Sequence, residues 1–169
     1  MERRFKIFRY IIYSTELLVL FVLQGIPNLI PELFGGRPSL ILPAVLTIAM
    51  FEPKLPALLF GLAGGLLTDM GNGGVIGFFA IIMTIFCYFI SHLTSELIRT
   101  RLLVAMAISF AAILSTLCLH FLFFYVLCGY GSNGYFFVSH YISRIVYTVA
   151  LTPIFYYINK TLALKISIQ

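Results

Sequence analysis

Gly61-Leu-Ala-Gly-Gly-Leu-Leu-Thr-Asp-Met-Gly-Asn-Gly-Gly-Val-Ile-Gly77 is the segment that decides the fold: an apolar run of small residues that ends on a carboxylate and a glycine-rich turn. A carboxylate at the end of such a run is costly in a membrane, so it needs a packing or a functional reason. Gly61 and Gly65 have the small-xxx-small spacing of closely packed membrane helices, and no lysine follows to make a phosphate-binding loop. The glycines after Asp69 allow a tight turn that returns the chain into the next helix.

The composition assigns the whole chain to the membrane. Its 169 residues are 61% hydrophobic and 10% charged, with a mean hydropathy of +1.04. Soluble domains of this size are far less apolar. Apolar segments use almost the entire length and leave no room for a separate soluble catalytic domain. We therefore expect a single integral membrane domain over residues 1–169, in contact with the lipid bilayer.

The expected fold class is all-α, a polytopic membrane helix bundle of about six transmembrane helices. The predicted spans are 7–26, 38–51, 55–70, 75–93, 102–128 and 138–159. The second reaches only about 21 Å in a bilayer about 30 Å thick, so either it tilts or the membrane thins around it. Pro53 and Pro56 bracket a tight hairpin turn that makes the second and third helices antiparallel neighbours. A five-span alternative would merge these two helices or make one of them re-entrant.

Basic residues predict the orientation, because Lys and Arg near helix ends are retained on the cytoplasmic side. Six spans put most basic residues on one side and leave only Arg37 and Arg144 on the other. Both termini are then cytoplasmic, whereas five spans would put the two C-terminal lysines outside. The net charge of +5 reflects this topology and attraction to anionic lipid headgroups, and it does not indicate nucleic-acid binding.

Polar residues inside the predicted spans are candidates for intramembrane contacts. They form one stripe on each of three helices. The stripes are Glu16 and Gln24 on the first helix, Ser109, Thr116 and His120 on the fifth, and Arg144, Thr148 and Thr152 on the sixth. The stripes either line a cavity or supply interhelical hydrogen bonds that hold a small bundle together. The third helix runs outward and the sixth inward, so we expect Asp69 to pair with Arg144. A direct pair between Glu16 and Arg144 would be strained, because the two approach from opposite surfaces.

Enzymatic chemistry is not indicated by any constellation in the sequence. A nucleophile beside a base, paired carboxylates on one face or ligands at metal spacing would stand out against so apolar a background, and none does. We expect no catalytic residue, no metal site and no cofactor.

The region around the opening segment resembles a known family. The sequence resembles the rod shape-determining protein MreD family in three successive features. These are Arg37-Pro38-Ser-Leu-Ile-Leu42, a proline-punctuated turn after it, and the segment from Gly61 to Gly77. The resemblance covers nearly the whole chain in length and hydropathy, and its specific part is residues 37–77. The family-like positions are Arg37, Pro38, Gly61, Gly64, Gly65, Asp69 and Gly77. The resemblance implies an architectural role for them, in shaping the fold and a docking surface.

The same resemblance implies a function. Members are multi-pass proteins of the bacterial cytoplasmic (inner) membrane with a cytoplasmic N-terminus, and they belong to the cell-elongation machinery, the elongasome. The partners implied are the bitopic protein MreC, the actin-like filament MreB, the glycosyltransferase RodA and a class B transpeptidase, which direct lateral peptidoglycan synthesis. The predicted function is therefore a non-catalytic scaffold that maintains cell shape.

A second architecture gives the alternative. Small six-span bundles are also similar to the substrate-binding subunits of energy-coupling-factor vitamin transporters. Those subunits typically dock a transmembrane partner through an alanine-rich small-xxx-small face on the first span. The first span here, Ile7 to Gly25, contains no alanine and is bulky throughout. A scaffolding subunit is therefore favoured over a substrate-binding transport subunit, which would need a ligand pocket.

Overall fold

Six helices make up the regular structure in a computed structural model that describes residues 2–26, 38–72, 77–96, 102–123 and 143–167. In chain order they are α1 (Glu2–Gly25), α2 (Ile41–Phe51), α3 (Lys54–Asn72), α4 (Phe78–Glu96), α5 (Leu102–Phe121) and α6 (Ser143–Ser167). The predicted all-α class is confirmed, and each helix overlaps one predicted span. The last helix ends later than the predicted 138–159, and Arg37 and residues 138–142 lie outside the described residues.

Three of these helices are long and apolar enough to cross a membrane, over Lys6–Gly25, Phe78–Ser95 and Leu102–Phe121 in the described ranges. The helix α2 has only 11 residues, which is about 16 Å at the helical rise and too short for a bilayer about 30 Å thick. The described residues contain six helices, as predicted, whereas the predicted six complete spans stay a prediction.

The surface of the molecule suits lipid. Large apolar side chains are exposed on every helix except α2, among them Val22, Leu55, Phe89 and Leu103. Polar side chains, in contrast, are buried between the helices, as at Thr148. Soluble monomers do not expose apolar area on this scale. Helices that face lipid do, and they keep their polar groups for contacts with one another.

The short helix α2 is the centre of the bundle. Every residue from Ile41 to Met50 is buried, and α2 packs against each of the other five helices. A helix that is apolar on all sides is stable only when it is surrounded. Its central position explains how a helix too short to span the bilayer is accommodated, because the surrounding helices, and not lipid, cover its sides.

The turn between α2 and α3 is the tight hairpin that the prolines predict. Only Glu52 and Pro53 separate the two helices. The Glu52 N–H donates to Ile48 O at 3.1 Å and closes α2, and the Ala57 N–H donates to Pro53 O at 3.0 Å and opens α3. Because a residue before proline is disfavoured in the helical region, Glu52 adopts an extended backbone and ends α2 there.

Glycines allow α3 to approach its two neighbours closely. A Cβ atom added to Gly61 would lie 2.9 Å from Met83 O of α4, and one added to Gly65 would lie 2.6 Å from Phe79 O. Gly64 faces α2, where an added Cβ would overlap Val45 Cγ2. Contacts this short do not occur with a side chain present, so the helix separation depends on these residues being glycine.

Candidate functional site

Two buried polar clusters lie at opposite ends of α3. We call them the Asp69 cluster, formed around Asp69 near the end of α3, and the Glu52 cluster, formed around Glu52 just before its start. Glu52 is 3% exposed and Asp69 is 2% exposed, so each carboxylate must find its partners inside the molecule.

In the Asp69 cluster, the carboxylate caps the following helix. Its Oδ2 accepts hydrogen bonds from the N–H groups of Gly77 at 2.9 Å and Ala80 at 3.1 Å, and its Oδ1 accepts one from Phe79 N–H at 3.0 Å. The first N–H groups of a helix have no partners within it, and negative charge there is favoured by the helix dipole. Asp69 therefore fixes the start of α4 against the end of α3.

Gly77 contributes its backbone conformation to the same cap. Its φ of +108° is one that residues with a side chain rarely adopt. This conformation turns the chain into α4 and directs the Gly77 N–H at Asp69. Asp69 and Gly77 are therefore joined in one helix cap.

His120 and Arg144 lie near the same end of α3. The His120 ring, in the last turn of α5, stacks on Phe79 with ring centroids 5.2 Å apart. The charges of Asp69 and Arg144 are both close enough to act electrostatically on His120. Three predicted polar residues from three helices are thus brought together. The direct ion pair between Asp69 and Arg144 stays a prediction.

Side chains from α1 and α6 hold the start of α2. The Leu40 N–H donates to Gln24 Oε1 at 3.1 Å, and the Ser39 N–H donates to Thr148 Oγ1 at 3.3 Å. The Thr148 hydroxyl in turn donates to Arg144 O at 2.6 Å. Gln24 and Thr148, both predicted from polar stripes, therefore supply acceptors to a helix start. Pro38, also a predicted position, is buried just before it.

Among the predicted polar residues that these contacts leave out, Glu16 is the acidic one, and the others are Ser109, Thr116 and Thr152. Neither carboxylate oxygen is exposed to solvent, and neither accepts a hydrogen bond from the described residues. The residue as a whole is only partly buried on α1. In this respect Glu16 differs from both Asp69 and Glu52.

Sequence reasoning missed the ion pair of the Glu52 cluster. Arg9 Nη2 donates to Glu52 Oε2 at 2.8 Å, and Arg9 Nε lies 2.6 Å from Glu52 Oε1. The Glu52 side chain is fully buried and that of Arg9 is 14% exposed. Paired contacts between a guanidinium and a carboxylate are the strong form of ion pair. Burial raises the pKa of Glu52, and the Arg9 guanidinium acts in the opposite direction.

Other helices also meet at Glu52. The Ser91 hydroxyl of α4 donates to the Glu52 backbone oxygen at 2.7 Å. Tyr13 of α1 lies beside the Glu52 carboxylate, and its ring packs edge-on against Phe60 of α3 with centroids 5.7 Å apart. The Glu52 cluster therefore ties α1 and α4 to the α2–α3 hairpin.

A second missed contact lies in the middle of the bundle. Asn159 Nδ2 of α6 donates to Thr47 Oγ1 of α2 at 2.9 Å, and both residues are fully buried. The sequence shows only that each of these two apolar helices contains a polar residue at this position, Thr47 in α2 and Asn159 in α6. No spacing rule connects residues that are 112 positions apart.

Together these contacts fix helix ends and join helices. Asp69 is satisfied by backbone N–H groups and Glu52 by a guanidinium, so both carboxylates serve the architecture. Over the parts of the chain that the structure describes, no group of three His, Cys, Asp or Glu side chains could hold a metal ion.

Comparison with known families agrees with the resemblance in the sequence. The family model for the rod shape-determining protein MreD matches residues 4–162. The match extends from α1 into α6, well beyond the motif region 37–77. No curated protein and no solved structure matches the chain. The predicted likeness to energy-coupling-factor transporter subunits therefore stays a prediction.

Proposed function

Because the chain belongs to the MreD family of rod shape-determining proteins, we propose that it is a non-catalytic membrane subunit that scaffolds an MreC-like protein and cell-wall synthases. A role in rod shape determination follows from the family itself. The proposal adds the partners: an MreC-like membrane protein first, and then MreB, RodA and a class B transpeptidase. Together they would form an elongation complex that directs peptidoglycan synthesis along the cell.

The observation that carries this proposal is the use made of Asp69. As a carboxylate at the end of an apolar segment, Asp69 is the residue that the sequence most suggests for a binding site. Its two oxygens nevertheless accept three backbone hydrogen bonds at the start of α4. A carboxylate engaged in this way supports a fixed helix arrangement. A scaffold needs such fixed outer faces, because its partners recognise the relative positions of its helices.

We also propose the location and orientation of the protein. It would lie in the bacterial cytoplasmic membrane with both termini on the cytoplasmic side, as the distribution of Lys and Arg predicts. The apolar surface of the described helices supports the membrane location. In this orientation the Glu52 cluster lies toward the cytoplasm and the Asp69 cluster toward the outer surface.

Purification from the native membrane tests the proposal. The chromosomal copy in the source bacterium is replaced by the affinity-tagged full chain, solubilised in mild detergent and purified. We expect an MreC-like protein to be recovered with it, and loss of rod shape when the copy is depleted. Recovery of an ATPase module with a bound vitamin would instead identify a transport subunit and overturn the scaffold.

A matched control makes this experiment specific. The Leu103→Ile variant changes an exposed apolar residue of α5 without changing its polarity or volume. It should recover the same partner and keep the cells rod-shaped. If no MreC-like protein is recovered with the unmodified chain under conditions that keep it folded, the scaffold proposal fails.

A further inference from the structure

We propose that the ends of α1 and α3 beside Glu52 bind the headgroup of an anionic phospholipid, with Lys6 and Lys54 as the residues that contact its phosphate. We call Lys6, Arg9 and Lys54 together the basic site. In the orientation proposed above it faces the cytoplasmic leaflet. This inference goes beyond the proposed function and does not rest on it, because a membrane protein can bind a lipid whether or not it scaffolds partners.

The helices α1 and α3 run in parallel and begin at the same end of the molecule. At that end Arg9 of α1 contacts Glu52, just before α3. At the other end a Cβ atom added to Gly71 of α3 would lie 3.6 Å from Phe21 Cε2 of α1. The first residues of both helices are therefore neighbours at one surface.

The two lysines lie at similar levels along these helices. The ring of Tyr10 packs edge-on against Phe60 with centroids 5.9 Å apart. Lys6 precedes Tyr10 by four positions and Lys54 precedes Phe60 by six, which is about 6 Å and about 9 Å at the helical rise. The candidate membrane span of α1 begins at Lys6. Both lysines therefore lie where hydrocarbon gives way to headgroups.

The basic site carries more positive charge than Glu52 offsets. The guanidinium of Arg9 is paired with the Glu52 carboxylate. The charge of Lys6 acts on the same carboxylate, and Lys54 follows Glu52 by two positions as the first residue of α3. Three positive charges thus meet one negative charge, which leaves two positive charges in excess.

The other acidic side chains that the structure describes lie too far away to offset this excess. Glu16 follows Arg9 by seven positions, which places it about 10 Å deeper in the membrane. Asp69 caps α4 at the opposite end of α3. The positive ends of the α1 and α3 helix dipoles lie at the basic site and add to its attraction for an anion.

The residues beside the lysines indicate that the anion is attached to hydrocarbon. Ile7 directly follows Lys6 and is 58% exposed, and Leu55 directly follows Lys54 and is 72% exposed. One turn deeper on α3, Leu59 is 56% exposed and continues this apolar surface. A free phosphate or an acidic peptide would pair with the lysines but leave the apolar side chains uncovered. A phospholipid covers both, because its phosphate lies at the ammonium groups and its chains lie along the helices.

Native mass spectrometry of the purified full chain tests this inference. The protein is stripped of lipid in a non-ionic detergent and titrated with phosphatidylglycerol or with phosphatidylcholine of identical acyl chains. Phosphatidylcholine has the same phosphate and chains but no net charge. We expect the apparent Kd for phosphatidylglycerol to be lower by about five-fold or more, the change that corresponds to about 1 kcal/mol for one basic residue at a lipid headgroup.

Variants of the two lysines then locate the site. Lys6→Gln and Lys54→Gln should each raise the apparent Kd for phosphatidylglycerol about five-fold, whereas Lys6→Arg keeps the charge and should keep the affinity. The matched control is Lys160→Gln, which removes one charge from α6, where the ammonium group lies 5.5 Å from the centroid of the Tyr156 ring. Thermal unfolding without lipid should be alike in all four variants, so that a lost adduct reports binding and not folding.

Every other outcome contradicts the inference. Equal affinity for the two lipids, an unchanged Kd in both glutamine variants, an equal loss in Lys160→Gln, or a loss in Lys6→Arg as large as in Lys6→Gln would overturn it. Displacement of phosphatidylglycerol by an equal concentration of glycerol phosphate would show that the site takes a free anion and would overturn the lipid. Recovery of an MreC-like protein is a separate measurement, so either proposal can fail while the other stands.

Discussion

The two carboxylates at opposite ends of α3 are buried to the same degree but satisfied in different ways. Asp69 accepts hydrogen bonds from backbone N–H groups that lie 8 to 11 positions away in the sequence. Glu52 is held by the Arg9 side chain, 43 positions away and on another helix. One contact is local and belongs to a turn, and the other is long-range and belongs to the bundle.

This difference has consequences for stability. Only a substitution to proline removes a backbone donor, and the donors of the Asp69 cluster lie beside one another at the start of α4. The Glu52 carboxylate depends mainly on one side chain, and removing either partner leaves a buried charge. The Glu52 cluster should therefore be the more sensitive end of α3.

The largest expected effect is that of Glu52→Ala. It leaves the mostly buried Arg9 guanidinium without its carboxylate, which should lower the free energy of unfolding by about 3–5 kcal/mol. Denaturant titration of the protein in mixed micelles measures this change.

The matched control is the double variant Arg9→Met with Glu52→Leu, which removes both charges. It should lose much less stability than Glu52→Ala, since an apolar pair leaves no charge behind. If the double variant is as unstable as the two single substitutions combined, the pair is not coupled and the comparison between the two ends is wrong.

A smaller effect is expected from Gly65→Ala, in the contact between α3 and α4. The added Cβ would press on backbone atoms of Phe79 and Ala80, and overpacking of this kind costs about 1–3 kcal/mol. Gly71→Ala in the same helix is the control, because its Cβ would meet only Phe21 Cε2 at 3.6 Å. It should be neutral or stabilising by up to about 1 kcal/mol. Equal losses for both variants in the same titration would show that helix separation does not depend on Gly65.

The smallest effect is expected from Asp69→Asn. The amide keeps one oxygen for the N–H groups of α4, but its NH2 group replaces the other acceptor and the charge that the helix dipole favours is lost, so the free energy of unfolding should fall by about 1–2 kcal/mol. Hydrogen exchange at the amides of Phe79 and Ala80 should report it locally. Asp69→Ala, which removes both acceptors, should cost more. If Asp69→Asn lowered the free energy of unfolding as much as Glu52→Ala, the two ends of α3 would be equally sensitive. The difference between local backbone donors and a distant side-chain partner would then have no effect on stability.

Much of the fold could be predicted from the sequence. Apolar segments bounded by proline, glycine and charge predicted six helices, and the prolines around Glu52 predicted the α2–α3 hairpin. The spacing of Gly61 and Gly65 predicted a close helix contact, although not that its partner is α4. These features depend on residues close together in the chain, and short-range pattern is what sequence reasoning detects.

The contacts between distant segments could not be predicted. Arg9 is one of several basic residues that precede an apolar segment, and Glu52 lies in a turn that would ordinarily be exposed. No periodicity relates these residues, or Asn159 and Thr47, because their proximity depends on how the helices pack. The polar stripes pointed to Gln24 and Thr148 as candidates, but they did not predict that these side chains accept hydrogen bonds at the start of α2.

The sequence alone determined that this chain is a helical membrane protein of the MreD family. Hydropathy, the positions of proline and glycine, and basic flanking residues are all visible in short stretches of sequence. Only the tertiary structure decided that the shortest helix is the centre, that Asp69 caps α4, that Glu52 pairs with Arg9, and that Glu16 lacks a donor among the described residues. The physical reason is that a buried polar group is satisfied by whichever donors packing brings within about 3 Å. Packing is a property of all the helices together.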